Sequence, residues 1–325
     1  MVLLKDIKGQ DNAVRYLARS MSSGRIAGSY LFSGPRGVGR GLTAKAFIAA
    51  LICGNKDTQG NVCGLCPACK RIDTLEHPDI LWISPGKNKK IKIEEIRNVK
   101  EALSLKPFES PVNVCVIEDA HMMTREASNA LLKVLEEPPG HSIIILITNK
   151  KELLLETVIS RCMEVRFRPM PVSEAKDIIM ELVKDTDEEM AYFLAYFSQG
   201  SPGRALEMID EGLLERKDDL IGIIDNIVKE RNPSCLNWDQ ENRDVLLEDL
   251  EMLIMFFRDM VMGKEGVNAA VIDEDLFDTE MYRFFEKYQA GKIYDIVEKL
   301  VNMKWALVGN VNPKLVAQAL PGILK

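Results

Sequence analysis

The sequence predicts an α/β domain with a parallel sheet, followed by a small helical unit and a larger all-helical region. Three observations carry this reading. Short β-branched runs alternate with helical stretches over the first half, a glycine-rich turn joins the first such run to a helix, and only helical patterns remain after Arg168-Pro169-Met170-Pro171. Strands are expected at Tyr30–Ser33, Ile80–Ile83, Val112–Glu118, Ile143–Thr148 and Met163–Phe167, each short and bounded by turn formers. Helices are expected between them at Leu42–Cys53, Ile93–Leu105 and Arg125–Glu137. Such alternation implies a parallel sheet covered on both faces. Beyond the proline-rich junction, Val172–Lys184 and Asp187–Phe197 form a small helical unit closing at Gly200-Ser201-Pro202-Gly203. The helical region that begins near Leu213 is broken at Arg231-Asn232-Pro233-Ser234. The expected division is therefore 1–168, 169–212 and 213–325.

Bulk properties narrow the function. The 325 residues are 46% hydrophobic and 28% charged, enough to bury separate cores in two or three domains. No secretory signal opens the chain, and runs such as Ile143–Ile147 fall far short of the roughly 20 residues of a membrane span, so a cytoplasmic protein with no membrane partner is expected. A net charge of −7 argues against a protein that wraps nucleic acid on its own. Seven cysteines without an export signal point to a reducing compartment and to metal binding before disulfides.

The first strand runs into Gly34-Pro35-Arg36-Gly37-Val38-Gly39-Arg40-Gly41. A strand, a glycine-rich turn and a helix N-terminus build a nest of N–H groups that suits phosphate. In G-x-x-x-x-G-K-[ST], lysine contacts the β/γ-phosphates and the hydroxyl holds Mg²⁺. Gly34 and Gly39 are in register, but Arg40 stands at the lysine position and Gly41 at the hydroxyl position. A planar guanidinium does not replace a compact ammonium in a tight loop. Thr43 and Lys45 are out of register. Glu118-Asp119 ends the third strand with two carboxylates in the order opposite to that of an ATPase. These three departures argue against hydrolysis and put ATP or ADP binding in doubt, although the backbone nest survives.

Cys53, Cys63, Cys66 and Cys69 follow the first helix with the spacing C-x9-C-x2-C-x2-C. Four thiolates about 2.3 Å from a tetrahedral ion suit a closed structural zinc site, whereas a redox motif would use two cysteines. Cys115 and Cys235 read as packed small apolar residues. Lys87, Lys89, Lys90 and Lys92 form a basic cluster that is either solvated or DNA-facing. Arg161, just before the fifth strand, is either a surface charge or an arginine finger reaching a neighbour's γ-phosphate.

Gly34–Gly41, the four cysteines, Glu118-Asp119-Ala120-His121, the run Ser128-Asn129-Ala130-Leu131-Leu132-Lys133-Val134-Leu135-Glu136-Glu137-Pro138-Pro139 and Ser160-Arg161-Cys162 together resemble an AAA+ clamp-loader subunit of bacterial DNA polymerase III. The resemblance continues through Gly200-Ser201-Pro202-Gly203-Arg204-Ala205-Leu206. It implies an AAA+ nucleotide-binding-type domain with a zinc module at about 53–69, a helical lid and an all-α collar at Leu213–Lys325. It also places Thr148, at the end of a central strand, where the family has a polar γ-phosphate sensor, and adds Arg204 to the candidate nucleotide-site residues.

Within the family, gamma/tau motor subunits keep the loop lysine and hydroxyl, and the delta subunit generally lacks the zinc cysteines and Ser-Arg-Cys. This chain loses the former and keeps the latter, which resembles the non-hydrolysing stator. The implied role is to help load the sliding clamp onto primer-template DNA alongside gamma/tau and delta subunits. Arg161, with Ser160 and Cys162 in its motif, would then act in trans on a neighbour's ATP. The alternative is an ATP-hydrolysing gamma/tau-like motor subunit of the clamp loader, or an AAA+ ATPase with a divergent phosphate loop.

Overall fold

The computed structural model describes residues 1–57, 62–86, 90–184, 186–230, 242–267 and 279–324. Lys87, Lys89, Cys235 and the break expected at Arg231–Ser234 lie outside them. Five parallel strands, β1 (Ser29–Ser33), β2 (Ile80–Ile83), β3 (Asn113–Ile117), β4 (Ser142–Thr148) and β5 (Met163–Arg166), form one sheet in the order β2-β3-β4-β1-β5. The helices among them are α1 (Asp11–Ser22), α2 (Arg40–Ile52), α3 (Pro67–Asp73), α4 (Ile93–Ser104), α5 (Arg125–Glu136) and α6 (Glu156–Ile159).

Alternation along the strands sorts the core into two layers. Tyr30 and Phe32 of β1, Val114 and Val116 of β3, and Ile143, Ile145 and Ile147 of β4 face a cluster with Leu17 of α1 and Phe47 and Ile48 of α2. Leu31, Cys115, Ile117, Ile144 and Leu146 face the opposite cluster, with Ile96 and Val99 of α4, Leu131 and Leu135 of α5, and Val158 of α6. Each large apolar side chain fully buried in these layers contributes about 1.5–3 kcal/mol. Every residue of β1, β3 and β4 is buried. That explains why these strands read as continuous apolar runs and not as alternating ones.

Several elements depart from the sequence expectation, among them the short helices α3 and α6, which have no counterpart among the expected helices. Helix α1 was not anticipated, because its buried stripe is only Ala13, Leu17 and Ser20 on an otherwise polar segment. Helix α2 starts at Arg40, two residues early, because Gly39 adopts φ 92° and turns the loop directly into the helix.

Contacts divide the chain into two compact units, Met1–Ala175 with Gln199–Arg204, and Lys176–Ser198 with Ala205–Lys325. No strand follows β5 among the described residues. The later helices are α7 (Val172–Leu182), α8 (Glu188–Phe197), α9 (Pro202–Asp210), α10 (Leu213–Glu230), α11 (Arg243–Lys264), α12 (Glu280–Phe285), α13 (Ala290–Val308) and α14 (Pro313–Ile323). In the second unit, Phe256, Phe257 and Phe285 are fully buried, and Phe257 meets Phe285 edge-on at 4.9 Å. Arg216 of α10 bonds Asp249 at 2.7 Å and Glu248 at 3.0 Å on α11, giving the buried Asp249 the partner its charge requires. No helix among the described residues is long and apolar enough to cross a membrane.

At the β5 edge, one carboxylate ties three elements. Glu164 accepts hydrogen bonds from Ser33 Oγ of β1 at 2.8 Å, Lys151 Nζ at 2.8 Å and Arg166 Nη2 at 3.0 Å. Burial acts to raise its pKa, but bonds from Lys151, Arg166 and Ser33 outweigh it and hold the carboxyl at about 2. A depressed pKa contributes stability that is complete above the unfolded value, near 4.5, and is lost as pH falls through about 2. Glu164→Gln is expected to cost about 2 kcal/mol at neutral pH in chemical denaturation. The gap from wild type should narrow as pH drops from about 4.5 towards 2. A gap that stays constant on acidification would rule out the linkage.

Candidate functional site: phosphate loop, cysteine cluster and rim arginine

The loop from Gly34 to Gly39 leaves the end of β1, and α2 begins at Arg40. At its tip Gly37 has φ 77°, and a Cβ there would lie 2.1 Å from the backbone nitrogen of Arg204. The Gly203 N–H donates to the Gly37 carbonyl at 2.9 Å, so this tip is fastened to the start of the segment carrying Arg204. Arg40 is only 7% exposed, and its Nη1 has no hydrogen-bond partner among the described residues. Burial pulls its pKa below the ordinary arginine value, against the opposing fields of Asp119 and Glu118. The other two residues with suggestive chemistry are turned away. Thr43 Oγ1 donates back to the Gly39 carbonyl at 2.9 Å, and Lys45 Nζ donates to the Asp73 carbonyl at 3.1 Å.

Glu118 follows β3 directly, which aligns its carboxylate with the loop. Its Oε2 accepts from Ser84 Oγ at 2.7 Å and from Trp82 Nε1 at 3.2 Å, both at the end of β2. Its Oε1 faces Gly41, 3.8 Å from where a Cβ would stand. The carboxylate therefore meets a residue with no side chain where a hydroxyl and a metal would share it. Asp119 has φ 46° and ψ 48°, the left-handed region, for which aspartate is among the more tolerant residues. Thr148 is fully buried at the end of β4; its hydroxyl lies 3.1 Å from His121 Nδ1 and accepts the Lys150 N–H at 3.1 Å. Burial lowers the His121 pKa and favours the neutral ring. The parallel sheet thus gathers the loop, Ser84, Glu118, Asp119 and Thr148 at one edge. His121 and Ser84 were not singled out as site residues from the sequence. Their signal lay in the strand-end positions of Ser84 and Thr148, which become neighbours only through sheet order.

The cysteines form a second, separate feature. Cys53 caps α2, Cys66 caps α3, and Cys69 lies within α3. The Sγ atoms of Cys53, Cys63, Cys66 and Cys69 all lie within 4.8 Å of one another, with Cys53–Cys63 at 3.6 Å and Cys63–Cys69 at 4.0 Å. A tetrahedron with 2.3 Å metal–sulfur bonds has edges of about 3.8 Å, so the cluster fits a four-thiolate metal ion. The backbone N–H groups of Leu65 and Cys66 pull the Cys63 pKa down to about 6, while burial drives that of Cys69 up. A bound dication would offset that burial cost and complete the thiolate set. The four cysteines could hold such an ion, and zinc is consistent with the donor set. Cys115 is fully buried, and burial raises its pKa to about 12, as for a packed apolar residue. Lys90 and Lys92 are exposed.

Arg161 stands between α6 and β5. Its Nη2 pairs with Glu136 Oε1 at 2.7 Å, and its Nη1 donates to the Thr157 carbonyl at 2.9 Å. The register pairs Met163 of β5 with Tyr30 of β1, so Arg161 lies beyond the start of β1 while the phosphate loop leaves its end. At about 3.3 Å per residue, roughly 15 Å of sheet separates the guanidinium from the loop of its own chain. Ser160 Oγ donates to the Thr157 carbonyl at 3.3 Å, and burial raises the Cys162 pKa to about 12.

Known proteins resemble this chain over much of its length. The family described as "DNA polymerase III, delta subunit" matches residues 9–171. The tau subunit of DNA polymerase III from Bacillus subtilis is 27% identical over 93% of this chain, which spans 58% of that protein's length. The delta' subunit from the same organism is also 27% identical, over 93% of this chain and 92% of its own. A solved gamma-subunit-related protein from Thermotoga maritima aligns over 98% of both chains at 18% identity, with a TM-score of 0.47. The family match spans half of the sequence, and the chain belongs to the clamp-loader subunits of DNA polymerase III.

Proposed function

We propose that this chain is the stator, or delta-prime, subunit of a DNA polymerase III clamp loader: a member that does not hydrolyse ATP and lends Arg161 to a neighbour's ATP site. One observation carries the first half. The loop lysine is replaced by the buried Arg40, and Glu118 spends one oxygen on Ser84 and Trp82 while the other faces the bare backbone of Gly41. A Mg²⁺ ion bridging β- and γ-phosphates needs the hydroxyl and the carboxylate together. Gly34, Pro35, Arg36, Gly37, Val38, Gly39, Asp119, Thr148 and Arg204 complete a degenerate site whose hold on ATP or ADP is weak on this reading. Arg161 supports the second half, because it lies at the sheet edge opposite its own loop. Its partners would be motor (gamma/tau) and delta subunits, the sliding clamp and primer-template DNA. The α/β, lid and collar parts of the reading are 1–168, 169–212 and 213–325.

Zinc at Cys53, Cys63, Cys66 and Cys69 belongs to the same reading as a structural ion. Elemental analysis of protein purified without chelator is expected to give one zinc per chain. Metal removal should loosen the stretch from Cys53 to α3 in hydrogen exchange while β1, β3 and β4 stay protected, because metal binding here is local folding energy. Zinc well below one equivalent in folded protein would sink this assignment.

The isolated chain is expected to show no ATP turnover above background. Arg40→Lys alone should not restore it, since Gly41 still supplies no ligand to Mg²⁺. Robust turnover by the unmodified chain would favour a motor subunit instead. In an assembly with its motor and delta partners, Arg161→Ala should leave subunit stoichiometry intact and lower DNA-dependent ATPase and clamp-loading rates. A sole arginine finger can be worth on the order of 10³ in rate, and a ring with several ATP sites should show only a partial loss. Arg161→Lys should also fall short, because an ammonium cannot span two phosphate oxygens. Unchanged rates in a fully assembled Arg161→Ala complex would refute the role in trans.

A further inference from the structure

Glu136 is the last residue of α5 and Glu137 its C-cap. Acidic side chains at a helix C-terminus face the negative end of the helix dipole and are unfavourable there. An ion pair at this exposure, with Arg161 34% and Glu136 50% exposed, returns little stability. Folding energy therefore does not account for the pair, but its geometry has a clear consequence. Glu136 Oε1 pairs with Nη2 and the Thr157 carbonyl accepts from Nη1, so one ion pair and one hydrogen bond together set the direction of the guanidinium. The other donors of Arg161 have no partner among the described residues. An unsupported arginine on the surface would spread over many rotamers and lose most of the benefit of its fork.

We infer that Glu136 is a positioning residue for Arg161: it holds the guanidinium oriented at the subunit rim, with unused N–H donors ready for the terminal phosphate of a nucleotide held by an adjacent chain. This rests on the reading of Arg161 as an arginine finger. The sheet topology makes the juxtaposition inevitable. Helix α5 starts after β3 at the edge carrying the phosphate loop and returns to the start of β4 at the opposite edge. The turn before β5 ends at that same edge. Glu136 stays with Arg161 during transfer and never contacts the phosphate, so its removal should lower kcat and leave the KM for ATP nearly unchanged.

The test is a double-mutant cycle in the reconstituted assembly of the full chain with its motor and delta partners, read by DNA-dependent ATPase at saturating clamp and primed DNA. Glu136→Ala is expected to lower kcat by roughly threefold, since misplacing a catalytic group by even an ångström is costly but only one site of the ring is affected. Glu136→Gln should also lower kcat, though less than Glu136→Ala, because a neutral amide keeps the shape of the side chain but loses the ion pair with Nη2. In an Arg161→Ala background, Glu136→Ala should cost nothing further. Wild-type kcat in Glu136→Ala, a faster rate, or an additive loss in the double variant would each overturn the positioning role while Arg161→Ala alone still slows the assembly. No effect of Arg161→Ala would remove the finger itself and the positioning role with it. Both Glu136 variants have a half-exposed side chain at a helix end, and unchanged Tm and stoichiometry exclude misfolding as the cause of any loss.

Discussion

All five strands run in one direction, and this constraint decides which residues can meet. In a parallel sheet every strand ends at the same edge, so the loops that follow β1, β2, β3 and β4 converge there. That is how Ser84, Glu118, Thr148 and the glycine-rich loop, scattered through more than a hundred residues of chain, come to share one edge. The same rule sends everything that precedes a strand to the other edge. Arg161 precedes β5 and Glu136 precedes β4, so both belong there. The order β4-β1-β5 then fixes which groups are direct neighbours, as in the hydrogen bond that Ser33 of β1 donates to Glu164 of β5.

The chemistry at the loop edge is altered by substitution more than by rearrangement. The backbone of a phosphate loop is retained, with positive φ at Gly37 and Gly39 and α2 starting immediately after. What has changed is where the charges are spent. Arg40 turns a mobile ammonium into a buried guanidinium with an unpartnered nitrogen beside two carboxylates. Burying such an ion is costly unless opposite charge is close, and Glu118 and Asp119 supply that field. Glu118 in turn is partly satisfied by a tryptophan N–H and a serine hydroxyl, donors that carry no catalytic requirement.

How much of this was legible in the sequence depended on the range of the interaction. The five strands and the helices α2, α4 and α5 showed as local periodicity, and their apolar residues are indeed the two layers around the sheet. The C-x2-C-x2-C spacing located the cysteines, because ligands on one turn are close before any tertiary fold forms, and Cys53 joins them through the end of α2. Helix α1 escaped because a three-residue buried stripe is too narrow to stand out from a polar segment. The partners of Glu118, Thr148 and Arg161 were not readable at all. Trp82 lies 36 residues from Glu118, His121 lies 27 from Thr148, and each pair is joined only by strand order. Glu136 was visible only as part of a family-like run; its contact with Arg161 needs the return path of α5.

Two arginines mark the two edges, and their surroundings differ. Arg40 is sealed at 7% exposure, with Glu118 and Asp119 acting on it through their field. Arg161 is held by one carboxylate and one carbonyl, with a third of its side chain open to solvent. A guanidinium held on one side and open on the other can act only on something that arrives from outside. Arginine suits that position better than lysine because its charge survives any environment and its fork can keep one anchor while making a second contact. On the stator function proposed above, a chain that buries its own loop cation and presents another at the far edge completes a neighbour's site and not its own.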